Sequence, residues 1–112
     1  MMNQIILETR VVRNDGIKFT SGGFAYLSLT LVFETVEKKD NQWQTKKNFI
    51  KAILWGKKAQ KLAEYLKPGT PIIVRGKLEQ NNWESKDGEK RSGFSLNIEE
   101  LHFEKQQKRK IG

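Results

Sequence analysis

Apolar and polar residues alternate with a period of two along much of this chain, the pattern of half-buried strands. The clearest case runs from Phe24 to Phe33. Ala25, Leu27, Leu29, Leu31 and Phe33 share one face there, and Tyr26, Ser28 and Thr30 share the other. An Ile- and Val-rich segment, Gln4 to Val12, predicts a strand before it, with turns at Asn14-Asp15-Gly16 (within 13–18) and Ser21-Gly22-Gly23. The polar stretch from Glu34 to Lys47, with Lys38-Lys39-Asp40-Asn41-Gln42 at its centre, reads as a long mobile hairpin loop holding Trp43. Asn48 to Trp55 predicts a third strand. Its Ile50, Ala52 and Leu54 suit a core, while Phe49, Lys51, Ile53 and Trp55 fall on the opposite face.

Gly56 ends that strand. Ala59, Leu62, Ala63 and Leu66 recur at helical spacing, so a short amphipathic helix is expected over Lys58 to Leu66, stopped by Lys67-Pro68-Gly69. Thr70 to Glu79 predicts a fourth strand with Ile72, Val74 and Leu78 inward and Gly76 at a bulge or tight bend. Asp87-Gly88 marks a hairpin turn, and Arg91 to Phe103, with Phe94, Leu96 and Ile98 alternating, predicts a fifth strand. Five strands with one short helix between the third and fourth is the connectivity of an all-β, five-stranded OB-fold Greek-key barrel. Residues 1–104 are expected to form this domain, and residues 105–112 a basic disordered tail.

At 112 residues the chain suffices for one core. Only 37% of it is hydrophobic, so the core must come from well-patterned strands. Lys and Arg number 21 against 13 Asp and Glu, and the net charge of +8 points to a polyanionic partner, although lysine is also a plain solubiliser. The sequence has no cysteine and one histidine, His102. Cys-type zinc or redox sites are therefore excluded, a His-based metal site or a Ser/His/Asp triad has no second partner to draw on beside His102, and no cofactor is expected. Glu99-Glu100 is a carboxylate pair only in sequence, since neighbours on a strand point to opposite faces. The chain reads as a binding protein and not an enzyme. With no signal peptide and no apolar run of membrane-spanning length, it is expected to be soluble, cytoplasmic and nucleoid-associated, with no membrane partner.

A binder of single strands needs a cationic groove for phosphates and flat rings on which bases stack whatever their identity. Phe49, Lys51 and Trp55 meet that need on one strand face, with Lys57 following. Trp83 precedes the last hairpin beside Asn81 and Asn82. Arg10, Arg13 and Lys18 near the first strand, with Lys77 and Arg91 on later strands, are candidates to line a groove, although each alone is an ordinary solvated charge. The competing reading makes Trp55 and Trp83 core or interface anchors, since tryptophan is usually well buried. Trp43 would either stack from its loop or merely pin it.

These residues resemble the bacterial single-stranded DNA-binding protein family. The resemblance is carried by Asn3-Gln4-Ile5-Ile6-Leu7, Gly22-Gly23-Phe24-Ala25 and Leu29-Thr30-Leu31. It is strongest in the run from Phe49 through Trp55-Gly56-Lys57-Lys58-Ala59 to Ala63-Glu64-Tyr65-Leu66-Lys67-Pro68-Gly69, and continues through Ile73 to Leu78, Trp83-Glu84 and Asp87-Gly88. It implies an OB-fold and sequence-independent binding of single-stranded DNA in replication, repair or recombination. It also implies a homo-oligomer, a tetramer by resemblance with a dimer as the alternative. The family's stacking positions fall on Phe49, Trp55 and Trp83, and a basic position on Lys57.

Four departures stand out. Thr35-Val36-Glu37 replaces an aromatic usual after strand two, and Thr9 a glycine. Glu79, Gln80, Asn81 and Asn82 stand where basic residues are common. The basic end, Lys105 to Gly112, stands where an acidic tip is usual, which fits either a shortened chain or a tailless phage, plasmid or primosomal relative. Partner recruitment through an acidic tail is therefore not expected. The competing function is a protein-interaction OB module of a replication or primosome assembly, with the aromatic face as its interface.

Overall fold

The computed structural model describes residues 1–104, apart from the side chain of Trp83. Five strands, β1 (Ile5–Phe19), β2 (Ala25–Lys39), β3 (Gln42–Trp55), β4 (Pro71–Glu84) and β5 (Lys90–Phe103), close into a barrel in the order β1-β2-β3-β5-β4. All neighbours are antiparallel except β3 and β5, which run parallel over Lys51↔Ser95 to Ile53↔Asn97. This is the expected five-stranded OB-fold. The core is the inward face that alternation predicts, with Leu27, Leu29, Leu31, Leu54, Ile72, Val74 and Leu96 almost wholly removed from solvent. Among the described residues, no helix is long and apolar enough to cross a membrane.

The helix is shorter than expected. α1 covers Lys57–Leu62, and Ala63–Tyr65 tighten into a 3₁₀ turn. Gly56 enters the helix at φ 77°, a left-handed backbone that glycine adopts without steric cost. Ala59 and Leu66 are fully buried. The Asn14 side-chain amide donates to the carbonyls of Ala63 (3.0 Å) and Leu66 (2.9 Å), tying the end of the 3₁₀ turn to β1.

Further expectations are corrected. The segment 13–18 is not a turn but part of β1, which carries register shifts between Val11 and Arg13 and between Asn14 and Ile17. Asn14-Asp15-Gly16 forms its turn within the strand: the Gly16 N–H donates to Asn14 Oδ1 at 2.8 Å and Gly16 sits at φ 82°. A local turn of this kind serves a β-bulge as well as a reversal. Second, the polar stretch 34–47 is not a mobile loop. β2 and β3 pair without interruption out to Lys39↔Gln42, and Asp40 and Asn41 reverse the chain at φ 52° and 62°, as a two-residue hairpin turn requires.

Third, Leu78, expected inward, is 36% exposed, and Phe94, which alternates with Leu96 and Ile98, is 60% exposed. β1 pairs with β4 only as far as Gly76, and β3 with β5 only from Ser95. Beyond those limits β4 and β5 continue as a two-stranded arm, with no third strand among the described residues to cover them. The side-chain amide of Asn3 extends the ladder one step, donating to Leu78 O at 2.9 Å and accepting from Leu78 N–H at 3.0 Å. The bulge expected at Gly76 is found there: Arg75 pairs with Glu100 and Gly76 with Ile98, leaving Glu99 as the extra residue on β5. A side chain at Gly76 would meet the Asn97 carbonyl oxygen at 2.0 Å, so the crossing requires glycine. The same bulge corrects the reading of Glu99 and Glu100. They do not diverge, because Arg75 reaches both, at 3.4 Å and 2.9 Å.

Candidate nucleic-acid interface

The outer face of β2 and β3 is built from cross-strand rungs: Tyr26 opposite Trp55, Ser28 opposite Ile53, Thr30 opposite Lys51 and Val32 opposite Phe49. The even positions of β2 and the odd positions of β3 face outward because their neighbours fill the core. Two large rings stand on this face without burial: Phe49 is 62% and Trp55 44% exposed. The Tyr26 and Trp55 ring centroids are 5.3 Å apart with an interplanar angle of 40°. This contact leaves Trp55 supported along the sheet and open to solvent.

The bulges of β1 bring its cations to the same rungs. Arg10 pairs with Val32 beside Phe49, Arg13 with Thr30 beside Lys51, and Lys18 with Tyr26 beside Trp55. Strict alternation would place Arg10 and Arg13 on opposite faces. The extra residue between Val11 and Arg13 restores Arg13 to the outer face, and the second shift does the same for Lys18. Two of these charges have local partners. Arg13 Nε lies 2.7 Å from Asp15 Oδ1, and Arg10 Nη1 donates to Gly69 O at 3.2 Å. The Arg13 side chain is nonetheless 76% exposed.

Across the parallel seam the face continues onto β5 and β4. Ile53 pairs with Asn97, which pairs with Lys77; Lys51 pairs with Ser95, which pairs with Glu79. Between β3 and the β4–β5 arm lies a cleft of about 380 Å³ whose lining includes Ser28, Lys51, Ile53, Asn81, Phe94 and Ser95. Asn81 donates to Ser95 Oγ at 2.7 Å. Lys77 is 4.0 Å from Glu99, and the charge it offers is correspondingly offset.

Phe49, Lys51, Trp55, Arg10, Arg13, Lys18 and Lys77 thus occupy one connected outer surface. Lys57 opens α1, exposed, two residues after Trp55. Arg91 stands on the β4–β5 arm, paired with Trp83 in the ladder and 3.5 Å from Glu89. The side chain of Trp83 lies outside the described residues, as does the tail 105–112. Thr9, at the position where the resemblance has glycine, is buried, and its hydroxyl donates to Ile72 O at 3.1 Å. Sequence reasoning missed Tyr26 and Phe94. Tyr26 carries the signal that picked out Phe49 and Trp55, an aromatic on the non-core face of an alternating strand.

The model of the single-strand binding protein family matches residues 2–104. The single-stranded DNA-binding protein 3 of Clostridium acetobutylicum is 33% identical over 103 residues, covering 91% of this chain and 70% of that protein. A crystal structure of a deletion mutant of the single-stranded DNA binding protein from Thermus aquaticus superposes with a TM-score of 0.80 at 29% identity, covering 95% of this chain and 52% of that one. The Plasmodium falciparum SSB in complex with ssDNA superposes with a TM-score of 0.82 at 20% identity, over 94% and 97% of the two chains, a likeness of fold. The family match spans nearly the whole described barrel, and the chain belongs to the single-strand binding protein family.

Proposed function

We propose that this chain binds single-stranded DNA without sequence preference, stacking bases on the outer-face aromatics and neutralising phosphates with the cations between them. Membership in the family makes it a binding protein and not an enzyme. The observation that carries the mechanism is the set of three rungs Arg10–Val32–Phe49, Arg13–Thr30–Lys51 and Lys18–Tyr26–Trp55. Each rung begins in a cation on β1, and two of them end in an exposed ring. Rings attract bases of any identity through their π-faces, and cations attract the backbone. Residues 1–104 form the binding domain in this reading, with Lys57, Lys77, Trp83 and Arg91 extending the surface. The protein acts as a homo-oligomer, a tetramer, covering single strands exposed in replication, repair or recombination at the nucleoid.

The test is binding of fluorescent oligo-dT to wild type and Trp55→Ala at low and moderate salt. Affinity should fall with salt through counterion release. It should fall with the substitution by about 1–3 kcal/mol, the worth of one stacked base. Weak binding that Trp55→Ala leaves unchanged would overturn the mechanism and turn the aromatic face into a protein interface.

A further inference from the structure

Charge is unevenly divided along the chain. Lys105, Lys108, Arg109 and Lys110 are four of its 21 basic residues, and none of its 13 acidic residues lies beyond Glu104. Half of the net charge of +8 therefore falls on the eight residues after the barrel. On the barrel itself several candidate cations are offset: Arg13 by Asp15 at 2.7 Å, Lys77 by Glu99 at 4.0 Å and Arg91 by Glu89 at 3.5 Å. The segment 105–112, whose structure lies outside the described residues, contains no acidic side chain to offset its own cations.

The barrel determines where that charge is delivered. The backbone N–H of Glu104 donates to Pro71 O at 3.2 Å. Pro71 pairs with Arg10, Arg10 with Val32, and Val32 with Phe49. Glu104 thus begins a row that crosses β4, β1 and β2 and ends at an exposed ring of the aromatic face. β1 stops pairing with β2 at Arg10, and a cleft of about 450 Å³ opens there; Glu104 and Val32 both line it, with Glu8, Arg10 and Glu34. The row covers four strand spacings of ~4.8 Å, or about 19 Å. Eight extended residues span about 26 Å at ~3.3 Å each, so the segment is long enough to come alongside the Phe49 end. Trp55 stands at the other end of the face, about 20 Å from Phe49 along β3.

We propose that the segment 105–110 is a second phosphate-binding element, a clamp on the backbone of single-stranded DNA where the strand passes the Phe49 end of the face. This rests on the stacking role of Phe49 and Trp55. The ligand is the phosphodiester backbone and not the bases, because the segment offers lysine and arginine and no aromatic ring. Such cations hold phosphate oxygens through charge-assisted hydrogen bonds, and the gain in affinity comes with release of counterions. The clamp acts at one end of the face, the end from which the chain leaves the barrel.

The experiment uses the full chain with Lys105, Lys108, Arg109 and Lys110 all replaced by Gln. It is titrated across a range of salt with dT of about 16 nucleotides, the upper site size for one OB-fold. The plot of log affinity against log salt should become shallower by about 1.4–2.8, for two to four phosphate contacts at ~0.7 each. The same four changes are then made in Phe49→Ala and in Trp55→Ala. Neighbouring sites couple and distant ones add, so the loss of affinity should shrink in Phe49→Ala and persist in full in Trp55→Ala. An unchanged slope in the Gln variant overturns the clamp and assigns the charge of the segment to Glu8, Glu34 and Glu104 around the cleft. Equal losses in the two backgrounds also overturn it, because net charge would then act on the whole complex and not at one end. If Phe49→Ala and Trp55→Ala weaken binding while the Gln variant matches wild type, the failure is confined to the segment; if neither weakens it, the stacking mechanism itself has failed.

Discussion

Tyr26 and Trp55 meet across the β2–β3 ladder with their ring centroids 5.3 Å apart and tilted by 40°. Aromatic pairs of this kind contribute about 0.5–1.5 kcal/mol beyond area burial. Here the contact holds the orientation of an exposed ring. Tyr26→Leu should therefore weaken oligo-dT binding by about 0.5–1 kcal/mol, less than Trp55→Ala, while Tyr26→Phe stays near wild type. Equilibrium titration of the three variants checks the order. Equal affinities for Tyr26→Leu and wild type would show that Trp55 needs no buttress.

The lysines of the outer face are predicted to act through phosphate and not through base identity. Replacing Lys47 and Lys51 together with Gln should make the plot of log affinity against log salt shallower by about 1.4, at ~0.7 per phosphate contact on a single strand. Oligo-dT and oligo-dA should lose affinity alike. A slope unchanged by the double substitution would remove both residues from the phosphate contacts.

Gly76 tests the fold. Its added Cβ would fall 2.0 Å from a backbone oxygen of β5, at the bulge where Glu99 is extra. Because the obstacle is backbone, Gly76→Ala should cost about 1–3 kcal/mol by overpacking. A urea titration should show a lower midpoint with an unchanged slope. A wild-type midpoint would mean that the two strands separate freely at this point.

Glu100 sets a pH dependence. Hydrogen bonding to His102, 2.7 Å away, and then to Arg75, at 2.9 Å, holds its carboxyl below the ordinary value of 4.5. A lowered pKa means that the folded state prefers the ionised form. The resulting stabilisation is present above the unfolded carboxyl range and is lost as pH falls through the folded pKa. Glu100→Gln should lower the Tm slightly at neutral pH, and the two proteins should converge as pH drops below 4.5. A difference that persists at acid pH would assign the effect to shape and not to charge.

The barrel was legible because its strands have one face in a core. Leu27, Leu29 and Leu31 announce themselves by alternation, as do Ala52 and Leu54. The arm of β2 and β3 was not, because a two-stranded ribbon beyond the barrel buries neither face and its sequence has no reason to alternate. Asp40-Asn41, two residues that tolerate positive φ, was the available sign of a tight hairpin. β1 failed differently: Asn14-Asp15-Gly16 has the same local chemistry in a bulge as in a reversal, and only pairing with β2 tells them apart. Phe49 and Trp55 were found because an exposed ring contradicts a solvated face. Phe94 was missed because alternation with Leu96 suggests core where the barrel has already ended.

The parallel seam that closes the barrel joins β3 and β5 over Lys51–Ile53 and Ser95–Asn97 alone, and both hairpins run on past its same end. What holds the molecule folded is thus separate from what sets its reach. Residues can be added to or removed from either hairpin two at a time, preserving face and register, with no change in the packing of Leu27, Leu54 or Leu96. A lineage could lengthen or shorten its grip on a partner while leaving the folding problem already solved.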